Sequence, residues 1–129
     1  MLSQELIQPT ESELEVLQVL WKEGPCTVRQ VNDILKLNRD VGYTTTLKIM
    51  QIMTEKKLVT RDTGSKTHVY HSSVKENSTQ KSLLNTFIQK TYRGSAMQLV
   101  MQALGNQKAS TEEIEELKKM IKRIEDNNE

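Results

Sequence analysis

Apolar residues recur at helical spacing along most of this chain, and the places where the pattern breaks divide it into elements. Leu14, Val16, Leu17, Leu20 and Trp21 form a first stripe that stops at Gly24-Pro25, with Trp21 as its expected core anchor. Thr10-Glu11-Ser12-Glu13 opens that helix as a capping box, in which each of Thr10 and Glu13 can bond the other's backbone N–H. Thr27-Val28-Arg29-Gln30 repeats the device and predicts a second helix, with Val31, Ile34 and Leu35 inward and an end near Leu37-Asn38. A third helix is expected from Gly42-Tyr43 to Lys56 or Lys57. Ile49, Met50 and Met53 fall on its inner side, while Thr44, Thr45, Lys48 and Gln51 fall on the outer one. Residues 58–62 and 67–71 then read as two strands around a turn at Thr63-Gly64-Ser65-Lys66, because Thr, Val and Tyr favour extended backbone. Thr27 is expected to add a short third strand.

Beyond Ser72-Ser73 the pattern is helical again. Leu83, Leu84, Phe87, Ile88 and Tyr92 form a stripe ending at Arg93-Gly94, and Ser95 caps a short helix with Met97, Leu99, Val100, Met101 and Leu104. After a flexible break at residues 105–109, Ser110-Thr111-Glu112-Glu113 makes a third capping box, followed by Ile114, Leu117, Met120, Ile121 and Ile124. Residues 73–129 are too few to bury three apolar helices by themselves, so the faces call for a partner, and a second copy is the economical one. Leu83, Leu84, Phe87, Leu99, Val100, Ile114, Leu117 and Ile121 are the expected dimerisation residues. The alternative is a monomer whose last helices fold back onto the first domain.

The order helix, helix, helix, hairpin is that of a winged helix-turn-helix. The expected fold is therefore mostly α with a small β-hairpin: a winged-helix domain over residues 1–72 and a helical dimerisation region over residues 73–129. Short polar side chains near the start of the third helix let its backbone approach base edges in a major groove, and a basic hairpin can lie along phosphates as a wing. A threonine run at a helix start also serves capping, so the hydroxyls alone divide evenly between capping and base reading.

Composition narrows the function. The chain has 129 residues, 36% of them hydrophobic, and a mean hydropathy of −0.59. No apolar run approaches the roughly 18 residues of a membrane span, and Met1-Leu2-Ser3-Gln4-Glu5 does not open like a signal peptide. A cytoplasmic protein without direct membrane insertion is expected. The single Cys26 excludes a disulfide framework or a cysteine-based metal cluster, and reads as a half-buried packing residue rather than an activated thiol. His68 and His71 lie three apart on a strand, on opposite faces, and cannot chelate together. No metal and no cofactor is expected.

A net charge of +1 speaks weakly against nucleic-acid binding by bulk charge. The charge is localised instead: Lys48, Lys56, Lys57, Arg61 and Lys66 outweigh Glu55 and Asp62 over the third helix and hairpin, while residues 1–23 are acidic. Nothing has the spacing of a nucleophile with its base or of a Gly-rich phosphate loop, so an enzyme is not expected. The glutamates at 112, 113, 115 and 116 open a helix, where its dipole and solubility explain them.

The sequence resembles the penicillinase repressor (BlaI/MecI) family, which includes copper-responsive CopY-type relatives. The resemblance runs from Leu6 to about Ile124. It is carried by Thr10-Glu11-Ser12-Glu13-Leu14-Glu15-Val16-Leu17, Leu20-Trp21, Gly24-Pro25-Cys26-Thr27-Val28-Arg29-Gln30-Val31, Gly42-Tyr43-Thr44-Thr45, Lys56-Lys57-Leu58-Val59 and Val69-Tyr70. Gly94-Ser95-Ala96, Leu99-Val100 and Glu112-Glu113-Ile114-Glu115-Glu116-Leu117 carry it further. It implies a homodimeric winged-helix repressor of palindromic operators, controlling a beta-lactam resistance or related operon. It also implies a membrane-bound sensor metalloprotease as partner, which cleaves the repressor in its dimerisation part. Thr44, Thr45 and Lys48 match positions of the family's recognition helix, and Lys66 takes the place of its wing arginine.

There are departures. Ile52-Met53 stands where the family often has Arg-Leu, and Lys57 where Gly usually ends the helix. The cleaved Asn-Phe bond of the family aligns with Gln102-Ala103, and the paired C-terminal cysteines of copper-responsive relatives are absent. Thr44, Thr45 and Lys48, and after them Gln51, are the candidate DNA-binding residues expected to meet bases or their adjacent phosphates, and Arg29, Arg61 and Lys66 are expected mainly to bind phosphate. A winged-helix module that binds another protein instead of specific DNA is the rival reading.

Overall fold

In a computed structural model, residues 8–64, 66–106 and 108–128 are described. They form α1 (Glu11–Glu23), α2 (Val28–Leu35), α3 (Tyr43–Glu55), β1 (Val59–Asp62), β2 (Val69–Ser72), α4 (Glu76–Tyr92), α5 (Ala96–Asn106) and α6 (Thr111–Asn127). The architecture is mostly helical with one two-stranded antiparallel hairpin, the expected winged helix followed by helices. The chain divides into two compact units, one closing at Leu84 and the other opening at Asn85.

All three capping boxes form. Thr10, Thr27 and Ser110 accept from the backbone of Glu13, Gln30 and Glu113, whose side chains accept from the cap N–H groups in return. In the first unit the apolar stripes of α1, α2 and α3 meet at Val16, Leu17, Val31, Met50 and Met53, all fully buried, and Leu58, Val59 and Tyr70 close the core from the hairpin side. Trp21 is not the anchor the stripe implied. Tyr70, Leu17, Met50 and Met53 are the large buried side chains, and Trp21 is half-buried beside them, its indole N–H donating to Ser72 Oγ and to the Val74 carbonyl, 3.1 Å in each case.

The hairpin pairs Val59 with Ser72 and Asp62 with Val69. Its strands begin one and two residues later than the sequence pattern placed them, and for β1 the reason lies at the end of α3. Lys57 follows the helix with φ 67°, the left-handed conformation that a glycine would adopt freely. Leu58 N–H then returns to the Met53 carbonyl at 2.9 Å, so the extended run begins only at Val59. The extra bridge falls on Cys26, not on Thr27: Cys26 and Tyr70 exchange backbone hydrogen bonds of 3.1 and 2.8 Å. Thr27 is unavailable, since it is the N-cap of α2. Cys26 is a packing residue. Burial, and then the charge of Glu23, push its thiol pKa up, so the neutral form is favoured.

In the second unit α5 runs through Gly105 to Asn106, so helix occupies the start of the segment expected to be a break. Neither α5 nor α6 contains a buried residue. Phe87 and Tyr92 meet edge to face, with ring centroids 5.9 Å apart.

Candidate nucleic-acid interface

The orientation of α3 is fixed by a small polar network beneath it. Asn32 of α2 is buried, and its side-chain amide donates to the Val41 carbonyl (3.0 Å) and to Thr46 Oγ1 (2.8 Å). Thr46 in turn donates to the Gly42 carbonyl at 3.3 Å. A buried amide that lost these partners would leave donors unsatisfied, at a cost of about 1–3 kcal/mol, so the loop and the first turn of α3 are held to α2. Of the three consecutive threonines, Thr46 is therefore structural. At the other end of α3, Lys56 Nζ lies 2.9 Å from the buried Glu13 carboxylate, which also serves the capping box of α1. α3 is thus tied at both ends to the helices behind it.

What remains outside is the candidate reading surface. Thr44, Thr45, Lys48 and Gln51 are all exposed. Thr44, Lys48 and Gln51 share one face at helical spacing, and Thr45 lies a quarter-turn round with Ile52, an apolar residue left 38% exposed. Among the described residues, Arg29, Lys48, Arg61 and Lys66 have no carboxylate partner, whereas Arg39 is engaged by Glu15 through two contacts of 2.7 and 3.1 Å. The Glu15 contact also raises the Arg39 pKa further.

Arg29, Gln51, Arg61 and Lys66 line one open cleft of about 570 Å³ between the first turn of α2, α3 and the hairpin. Thr44, Thr45 and Lys48 do not line it; they stand on the neighbouring outer face of α3. The cleft wall also carries Tyr43 and His68 and, among the described residues, contains no carboxylate. The Arg29 guanidinium sits over the Tyr43 ring, 5.3 Å from its centroid. Tyr43 was not among the expected contact residues. Its signal was an aromatic at the exposed first position of a helix whose other outward residues are polar.

The expected dimerisation residues are distributed over both units. Leu83 and Leu84 belong to the first, and Phe87, Leu99, Val100, Ile114, Leu117 and Ile121 to the second. Leu84, Phe87, Val100, Ile114 and Ile121 are exposed, and Leu83, Leu99 and Leu117 half-buried. Met97, Met101, Met120 and Ile124, absent from that expected set, are also exposed. Gln102 and Ala103 lie exposed inside α5, in regular helical backbone. No cluster of metal-ligating side chains and no helix long and apolar enough to cross a membrane occurs among the described residues.

A short helix pinned from behind, with a polar outer face and an antiparallel hairpin directly after it, defines a winged helix-turn-helix protein. The family described as "Penicillinase repressor" matches residues 9–123, and the chain belongs to it. Among its relatives, the methicillin resistance regulatory protein MecI of Mammaliicoccus sciuri is 24% identical over 112 residues, covering 87% of this chain and 91% of that one. The penicillinase repressor of Staphylococcus aureus is 21% identical over 118 residues, covering 92% and 94%. The transcriptional regulator BlaI of Mycobacterium tuberculosis is 37% identical over 59 residues, covering 45% and 43%. The chain is a transcriptional repressor of the BlaI/MecI type and not an enzyme.

Proposed function

We propose that this chain acts in the cytoplasm as a homodimer that blocks transcription from palindromic operators, reading bases with Thr44, Thr45, Lys48 and Gln51. Arg29, Arg61 and Lys66 hold the phosphate backbone, and Phe87, Leu99, Val100, Ile114, Leu117 and Ile121 carry most of the dimer contact, with Leu83 and Leu84. The observation that carries the reading is the outer face of α3: hydroxyls, an amide and a lysine that, among the described residues, has no carboxylate partner, flanked by a cleft whose described lining carries cations and no acid. Cations without a carboxylate partner are available to displace the counterions of a duplex, which makes affinity steeply salt-dependent. The exposed apolar faces of α5 and α6 favour a second copy, and a two-fold dimer presents two reading helices to a two-fold site.

The relatives' names speak of methicillin resistance and of penicillinase, and a beta-lactam resistance or related operon is the target class proposed here. A sensor metalloprotease would have to unwind α5 to cut between Gln102 and Ala103, because proteases take extended chain. Helical Gln102-Ala103 is therefore a poor cleavage site.

Selection of bound sequences from a random duplex library tests the reading. A two-fold symmetric consensus supports it. A folded, dimeric protein that enriches nothing would move the function to protein binding. On the selected duplex, Lys48→Ala should weaken binding by about 1–3 kcal/mol, the range of one good base contact. Unchanged affinity in a gel-shift titration would remove Lys48 from the reading set.

A further inference from the structure

The cleft beside α3 has a feature that base reading does not use. Its cations come from separate elements, Arg29 from α2 and Arg61 and Lys66 from the hairpin, and they face a common space whose described lining holds no carboxylate. Arg29 is also the cation there with a visible orienting partner, the face of Tyr43. A guanidinium stacked on an aromatic face keeps its edge donors free while losing part of its freedom to swing. Its planar fork matches the paired oxygens of a phosphodiester, and fixing it beforehand reduces what must be ordered on binding. Position matters as well. In helix-turn-helix domains the helix before the recognition helix crosses the sugar-phosphate backbone, and Arg29 stands in the first turn of that helix.

We propose that this cleft seats one backbone phosphate of each operator half-site, and that Tyr43 is a positioning residue that aims Arg29 at it. The inference rests on the DNA-binding reading and adds to it a defined phosphate, a defined cation and the residue that sets the cation's direction. Tyr43 acts through Arg29, so its effect vanishes when Arg29 is absent. The contact carries no sequence information and contributes equally to specific and non-specific binding.

The experiment titrates the full-length protein against the selected duplex at several salt concentrations. Wild type, Tyr43→Phe, Tyr43→Ala, Arg29→Ala and the Arg29→Ala/Tyr43→Ala double variant are compared, with folding checked by thermal melting. Tyr43→Ala should weaken binding about three- to tenfold, the range for losing one oriented contact. Tyr43→Phe, which keeps the ring, should stay within about twofold of wild type. Arg29→Ala should lower the salt slope by about 0.9, the value for one phosphate. The double variant should bind no worse than Arg29→Ala alone. Tyr43→Leu fills the volume without a π-face and must behave like Tyr43→Ala, which covers a packing defect in the smaller variant. A neutral methylphosphonate walked along the duplex should weaken the wild type at one phosphate per half-site and leave Arg29→Ala indifferent there. Additive losses in the double variant, or a Tyr43→Phe as weak as Tyr43→Ala, would overturn the positioning role while operator binding stood. A wild type that retains no duplex at all would remove the DNA-binding reading and this inference with it.

Discussion

The two units of the chain are helical for different reasons. In the first, Val16, Leu17, Val31, Met50 and Met53 are wholly removed from solvent, and the polar groups drawn in with them, Glu13, Asn32 and Thr46, all have partners. In the second, neither α5 nor α6 contains a fully buried residue, Leu99 and Leu117 being only half-buried, and Met97, Met101, Met120, Ile121 and Ile124 each expose more than half of their surface. What holds α6 within one chain is local: the Ser110–Glu113 capping box and exposed pairs such as Lys118–Glu115. A cap contributes about 1 kcal/mol and an exposed pair a few tenths, little against the entropy of ordering a helix of this length. The first unit carries its stability in its own interior, whereas the second carries apolar surface that gains stability only when something covers it.

That contrast can be broken at four places. Leu17→Ala opens a cavity in a closed core and should cost about 3–4 kcal/mol in urea denaturation, with no dependence on protein concentration. A loss that shrank as concentration rose would mean that the first unit too depends on association. Ile121→Glu should instead leave the unfolding of the first unit unchanged and weaken self-association by about 2–3 kcal/mol, read by sedimentation equilibrium. An unaltered association constant would take α6 out of the dimer surface. Glu13→Ala removes both the acceptor of a capping box and the partner of Lys56, and about 2 kcal/mol should be lost. Restoring only the cap with Glu13→Gln should recover part of it, and full recovery would show that the ion pair contributes nothing. The smallest effect is a gain: Lys57→Gly relieves a left-handed residue at the end of α3 and should stabilise the first unit by about 1 kcal/mol in the same denaturation.

Much of this was legible from the sequence because the signals were local. Capping boxes are written within four residues, and α1, α2 and α3 begin where Thr10, Thr27 and Gly42 placed them. The outward set Thr44, Thr45, Lys48 and Gln51 followed from period alone. What escaped depended on partners distant in sequence. Period alone puts Thr46 on the inner side with Met50 and Met53, but that its buried hydroxyl is met by Asn32 reaching over from α2 is written nowhere near it. Trp21 yields the anchor position to Tyr70 because the indole N–H needs a polar acceptor and finds it at the end of the hairpin. Tyr43 reads locally as a helix-start residue, and its partner Arg29 comes from α2, fourteen positions earlier.

Trp21 gives this chain a built-in optical gauge. It is the only tryptophan, and its indole N–H is shared between Ser72 and Val74, the stretch through which the backbone leaves β2 and turns toward α4. Its emission colour therefore registers whether that exit remains seated on α1. A single unlabelled sample could be followed through operator titration, dilution or addition of a candidate inducer, and a red shift would mark the moment the exit lets go.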